Sequence, residues 1–186
     1  EGVKFVAPYK ISDLEFKKVV AILRLSVPYT GIILSTRESP KLRDELLELG
    51  ISQISADSRT SPGGYSEIEN TSGAQFFLKD NRSLDEVVET LLDKGFIPSF
   101  CTACYRSLRT GEAFMNYAKP GKIKGKCTMN ALITLKEYLD DFASAKVKQK
   151  GYEMINNEKK YLPPNDILSL KKFFKDIDKG LRDKYV

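Results

Sequence analysis

The stretch TGIILSTRESPKLRDELLELGISQISA, residues 30–56, reads as strand, helix, strand, and it decides the fold class. TGIILST is a short apolar run of strand type. Ser39-Pro40 opens a helix, with proline at the first helical position, where its missing N–H costs little. KLRDELLEL carries that helix to Gly50, a left-handed stop, and ISQISA returns as a second strand. Upstream, Ser12-Asp13-Leu14-Glu15 forms a capping box. Phe16, Val19, Val20, Leu23 and Val27 then recur at helical spacing until Pro28. Residues 11–57 therefore alternate helix and strand with short connections, the rhythm of a parallel α/β sheet or barrel. Two strands cannot close a barrel or stand alone as a parallel sheet, so further strands are expected upstream of Glu1 or in a partner chain. The chain opens without Met, straight into element-like sequence, which leads us to expect a fragment of something longer. Such a fragment would expose edges and apolar faces and would self-associate.

Residues 58–75, SRTSPGGYSEIENTSGAQ, are rich in Ser, Gly, Pro and Asn and read as an exposed connection or domain boundary. A second capping box, Ser83-Leu84-Asp85-Glu86, opens a helix through Val87, Val88, Leu91 and Leu92 to Gly95, and FIPSFC follows as a short strand. ELLELGISQIS is echoed by ETLLDKGFIPSF, which is shared helix–Gly–strand punctuation rather than a repeat family. Beyond, Ala131, Leu132, Leu135, Tyr138, Leu139 and Phe142 make one amphipathic stripe. Ile167, Leu168, Leu170, Phe173, Phe174 and Ile177 make another, with NNEKKYLPPND (156–166) read as a turn between the two.

At 186 residues the chain buries a core without help from disulfides or metal. No apolar run reaches membrane-spanning length, so no membrane partner is expected. Charge is uneven: residues 1–100 carry 12 Lys/Arg against 15 Asp/Glu, and residues 101–186 carry 18 against 10. The basic half, with KPGKIKGK at 119–126, reads as a solvated surface or a collar around an anionic site. A nucleic-acid partner is not expected, because no helix-turn-helix, RNP or zinc-finger signature accompanies it.

The three cysteines, Cys101, Cys104 and Cys127, form C-x2-C-x22-C in a chain with no histidine. An odd number of thiols without a secretion signal fits a reducing, cytoplasmic setting. Three thiolates suit a [4Fe–4S] cluster with one open iron, or a zinc site needing a fourth ligand, though no further Cys or His remains to complete the latter. A thioredoxin-type C-x-x-C leaves Cys127 unexplained, and three simply buried thiols remain a fourth reading. Arg106, Arg109, Lys124 and Lys126 would help to hold a negatively charged cluster.

IPSFCTACYRSLRTGEAFMNYAKPGKIKGKCTMNALITLKEYLDDFAS, residues 97–144, closely resembles the C-terminal domain of the HydG family, radical-SAM tyrosine lyases that mature [FeFe]-hydrogenases. The interval before Cys127 matches that family's auxiliary-cluster motif. The likeness runs upstream through residues 21–65 and 82–101 and ends with GLRDKYV at 180–186. The upstream part alone is also similar to the tyrosine lyase of thiamine synthesis. The resemblance implies an α/β fold: the last two βα steps of a (β/α)8-type barrel over residues 1–65, then a mostly helical C-terminal cluster-binding domain over 66–186.

It implies an enzyme that cleaves L-tyrosine by a radical route and makes CO and cyanide for an iron synthon. Cys101, Cys104 and Cys127 would hold the auxiliary [4Fe–4S] cluster, whose open iron takes L-cysteine bridging to an extra iron. Hydrogenase-maturation proteins would be its partners. Arg37, just past the first strand, stands where barrel active sites collect; it would either bind the tyrosine carboxylate, since guanidinium pairs bidentately with carboxylate, or form a surface salt bridge. Ser35 stands beside it, and Ser55 and Arg59 occupy similar strand-end positions. The family's C-x3-C-x2-C motif, and with it the S-adenosylmethionine and second [4Fe–4S] cluster, would belong to a missing N-terminal part, and no barrel histidine for the extra iron is present. The chain is thus expected to be incomplete as a catalyst.

Overall fold

The computed structural model describes residues 8–65 and 77–186. They form two compact units, one up to Leu84 and one from Asp85 to Val186. From residue 66 the Ser/Gly-rich connection lies outside the described residues.

In the first unit, α1 (Asp13–Ser26) starts at the expected capping box. The Ser12 hydroxyl accepts from the Glu15 N–H at 3.3 Å, and the Glu15 carboxylate accepts from the Ser12 N–H at 2.7 Å. β1 (Ile33–Leu34), α2 (Pro40–Glu48) and β2 (Gln53–Ile54) follow, with Pro40 in the first turn and the Ser39 hydroxyl capping Leu42 N–H. The strands pair in parallel, Ile33 opposite Gln53 and Leu34 opposite Ile54. They are shorter than the apolar runs that encode them, because among the described residues each has one neighbour and only the register-matched residues can share a ladder. Gly50 is required: its φ is +103°, and a Cβ would sit 2.7 Å from Arg24 Cγ. That close approach lets Arg24 donate to the Gly50 carbonyl at 2.9 and 2.7 Å and to those of Pro28 and Thr30, stitching α1 to the end of α2. α1 buries only Val20, and Leu14, Ile22 and Leu25 stand exposed on it.

The second unit is all helix: α3 (Leu84–Asp93), α4 (Ala103–Arg106), α5 (Gly111–Ala118), α6 (Lys124–Asp141), α7 (Ala145–Glu158) and α8 (Pro164–Asp178), with a single 3-10 turn at Lys159–Tyr161. Leu132, Leu135 and Leu139 of α6 pack with Val147 and Ile155 of α7, Leu170 and Ile177 of α8, and Val88 and Leu92 of α3. Lys136 is drawn into this core because Asp140 and Asp178 meet its ammonium at 2.8 and 2.7 Å and the Tyr152 hydroxyl accepts from it at 3.1 Å.

Four expectations are corrected. FIPSFC is not a strand; it is an irregular segment whose Phe100 N–H bonds to Thr134 Oγ1 at 3.1 Å, a side chain standing where a strand partner would be. Residues 156–158 still belong to α7, and α8 begins at Pro164, so the stretch read as a turn is largely helical. Phe142 caps α6 and is exposed rather than core, and Leu168 faces outward on α8. Among the described residues no helix is long and apolar enough to cross a membrane.

Candidate metal centre

Cys101 ends the irregular segment after α3, and its Sγ accepts the Ala103 N–H at 3.4 Å. Ala103 is fully buried and pins α4, which carries Cys104. Phe100, one residue before Cys101, stacks on Tyr138 at 5.0 Å between ring centroids, and the Tyr138 hydroxyl donates to Asp85 at 2.9 Å. The first two thiols are thus fixed against α6. Cys127 lies in the first turn of α6, two residues before the unbroken buried run Met129–Ile133, and Asn130 is buried mid-helix.

Asn130 holds a different segment. It accepts from the Val186 N–H at 2.8 Å and donates back to the Val186 carbonyl at 3.4 Å. Arg106, at the end of α4, pairs with Asp183 at 2.6 Å and lies 4.6 Å from the Tyr185 ring centroid. Residues 180–186 therefore clasp α4 to α6. An amide inside an apolar helical stripe was the available sequence signal for this tie.

All three thiols are free; Cys101 and Cys104 are half-buried, and Cys127 is exposed as a residue. Even so, local crowding makes burial the first cause pushing the Cys127 thiol above its ordinary range. Cys104 and Cys101 push it further, and Arg109 opposes them. The three sulfurs share one electrostatic neighbourhood. Among the described residues, however, no three Cys, His, Asp or Glu side chains converge closely enough to grip a metal ion. A zinc ion, with thiolates at about 2.3 Å, demands such convergence. A four-iron cube spreads its thiolates around a larger core, so three neighbouring but separated soft donors fit it better. Arg109 adds to that fit: its Nε is shut off from solvent and has no hydrogen-bond partner among the described residues.

The other candidates belong to the first unit. Ser35 and Arg37 follow β1 and are exposed, with the Arg37 N–H directed to Ser35 Oγ at 3.4 Å. Ser55 follows β2 and is half-buried, and Arg59 pairs with Asp57 at 2.9 Å. Sequence reading missed the polar core beside them. Arg43, on the buried face of α2, pairs with Asp80 and donates to the Ser55 carbonyl, and Arg82 bridges Asp80 at 2.7 Å and Asp44 at 3.0 Å. The signal was Arg43 itself, which shares its helix face with Leu46 and Leu47.

Residues 1–97 match the family model of the Biotin and Thiamin Synthesis associated domain. The chain belongs to that family. The 2-iminoacetate synthases of Escherichia coli (strain K12) and Salmonella typhimurium (strain LT2) are each 35% identical to it over 94 residues, half of this chain and 25% of theirs. A crystal structure of HydG, a maturase of the [FeFe]-hydrogenase, is similar at 46% identity and a TM-score of 0.90, over 96% of this chain and 39% of that one. HydG from Carboxydothermus hydrogenoformans, also an FeFe-hydrogenase maturase, is similar at 46% identity and a TM-score of 0.68, over 91% of this chain and 35% of its own. The chain spans about a quarter of the length of the curated relatives and under two-fifths of the first of these maturases. The resemblance to the C-terminal portion of HydG thus holds across nearly the whole chain.

Proposed function

We propose that this chain is the C-terminal part of a radical-SAM tyrosine lyase that makes CO and cyanide for the [FeFe]-hydrogenase active site. Its helical unit would carry the auxiliary [4Fe–4S] cluster. The observation that carries this reading is the 46% identity to HydG over 96% of the chain, which takes in the cysteine segment lying beyond the family match at residue 97. Cys101, Cys104 and Cys127 supply the thiolates. When bound, the cluster would offer one iron without a protein ligand, a position for L-cysteine and the extra iron, as open metal sites offer one to exogenous chemistry.

The parallel β1–α2–β2 unit would be the last part of a (β/α)8-type barrel. Ser35, Arg37, Ser55 and Arg59 all follow strand ends, where barrel active sites collect. Arg37 would bind the carboxylate of L-tyrosine, with Ser35 beside it. S-adenosylmethionine and its own [4Fe–4S] cluster would be held by the part of the parent enzyme upstream of Glu1, and hydrogenase-maturation proteins would receive the product in the cytoplasm. The rival, a thiamine-synthesis tyrosine lyase, draws on the 2-iminoacetate synthase matches, which span only half of the chain.

The test is anaerobic reconstitution with iron and sulfide. About four irons per chain, with an EPR signal in the reduced state that changes on adding L-cysteine, supports the proposal. A normal cluster spectrum from a variant with Cys101, Cys104 and Cys127 all replaced by Ala overturns the ligand assignment, and a chain that takes up only one zinc overturns the cluster.

A further inference from the structure

Four cations stand near the thiols in sequence, and the structure treats them differently. Arg106 is committed to Asp183 and Tyr185. Lys124 and Lys126 are exposed on the first turn of α6, where solvent screens their charge. Arg109 differs from all three. Its backbone N–H donates to the Cys104 carbonyl at 2.8 Å, so its root is fixed to the turn that carries a thiol. Its guanidinium makes no side-chain hydrogen bond among the described residues, and its Nε is closed to solvent. Its charge nevertheless reaches Cys127.

A buried donor left unmet costs about 1–3 kcal/mol, and such groups are rare in native proteins. Arg43 also has a buried Nε without a partner, but its other nitrogens are spent on Asp80 and on the Ser55 carbonyl. Arg109 has no such compensation. Its backbone is tied to Cys104, its charge acts on Cys127 and it has no carboxylate partner among the described residues, so an anionic group seated among the thiols would satisfy it.

We propose that Arg109 donates its Nε–H to the anionic iron–sulfur core held by Cys101, Cys104 and Cys127 and thereby raises that core's reduction potential. The inference rests on the cluster reading above. Reduction adds one negative charge to an already anionic core. A fixed cationic donor therefore stabilises the reduced form more than the oxidised one. Arg109 is a positioning and tuning residue here, separate from the three ligands.

The experiment is an EPR-monitored redox titration of the reconstituted 186-residue chain, with and without L-cysteine, for the parent and for Arg109→Gln, Arg109→Lys and Lys124→Gln. Far-UV circular dichroism and iron counts are taken on each. Arg109→Gln is expected to keep its helical content and about four irons. Its reduction equilibrium should fall at least tenfold, about 59 mV for a one-electron couple. Arg109→Lys should lie between, because it keeps the charge but loses the fork of N–H donors. Lys124→Gln should move the midpoint little. A fully loaded Arg109→Gln with the parental midpoint overturns the inference and leaves the cluster reading intact. A shift seen only with L-cysteine present also overturns it, because the guanidinium then serves the ligand at the open iron. A parent chain that binds no iron removes the reading on which it rests.

Discussion

Gly151→Ala should destabilise the helical unit, against the ordinary rule. In a helix interior, alanine is worth about 1 kcal/mol more than glycine, and Gly151 lies in the middle of α7. Its α-carbon, however, faces Leu139 of α6. A Cβ built there would lie 2.5 Å from both Leu139 methyls and 3.0 Å from its Cγ. A long side chain at the surface could swing aside. Leu139 cannot, because it is fully buried among Leu135, Val147 and Ile155. Overpacking of this kind costs roughly 1–3 kcal/mol, so the clash outweighs the propensity gain by up to about 2 kcal/mol. Urea unfolding followed by far-UV circular dichroism would read this as a lower midpoint with an unchanged slope. The cross-check is a double-mutant cycle. Leu139→Ala alone should cost about 2–5 kcal/mol, and in that background Gly151→Ala should become stabilising, because the new methyl enters the space the leucine vacates. A Gly151→Ala protein more stable than the parent, or a second step that fails to change sign, would refute the packing argument.

Three further outcomes follow from the same geometry. Asp80→Asn should cost about 3–5 kcal/mol at neutral pH, because Arg43 is left buried without its counter-charge. Burial pushes the Asp80 carboxyl up, but hydrogen bonds from Arg82 and the Arg43 charge bring it net below its ordinary value. The stability it contributes is therefore full above its unfolded value near about 3.9 and lost as pH falls through the lower folded value, so acid titration of Asp80→Asn should show a flatter acid limb than the parent. Asn130→Ala should lose about 1–3 kcal/mol and release residues 180–186, seen as faster proteolysis near Asp183 with α6 to α8 still protected from hydrogen exchange. Gly50→Ala should lower the melting temperature of the first unit, since neither φ of +103° nor the contact with Arg24 admits a Cβ.

The first unit was the more legible half of the sequence. Its boundaries are written in short-range chemistry: a capping box at Ser12, a proline at the first helical position of α2 and a glycine at its end, each acting within one turn. The second unit yielded α3, α8 and the body of α6 but not α4, α5 or α7. α7 escaped because Lys, Gln and Asn dilute its stripe to Val147, Gly151 and Ile155, and a glycine does not register as apolar until its partner Leu139 is known. FIPSFC carries the composition of a strand but finds Thr134 where a strand partner would be, and pairing is a tertiary fact that local propensity cannot supply. Of the candidate site, spacing gathered the three thiols in one segment, and the structure gives them one electrostatic neighbourhood but no convergence tight enough for a metal ion among the described residues. Which neighbouring cation is already committed was beyond it, because Arg106 is claimed by the distant Asp183 and Tyr185.

The two sides of the thiol cluster are packed to different degrees, and this would bear on how it takes up the proposed metal core. Cys127 stands on α6, whose following residues are locked into the core of the unit, so its position is set by the fold itself. Cys101 and Cys104 are held by one buried alanine, the stack of Phe100 on Tyr138, one threonine hydroxyl reaching Phe100, and the clasp of Arg106 by residues 180–186. Between Cys104 and Cys127 runs α5, which buries no residue at all. A segment with so little packing opens at low free-energy cost. Closing three thiolates on the proposed core would draw this loop in and order it, so part of the binding free energy would be spent as folding free energy. The better-packed side would give the site its location, and the loosely packed loop would let neighbouring sulfurs that do not converge among the described residues close around the proposed core, which is wider than a single ion.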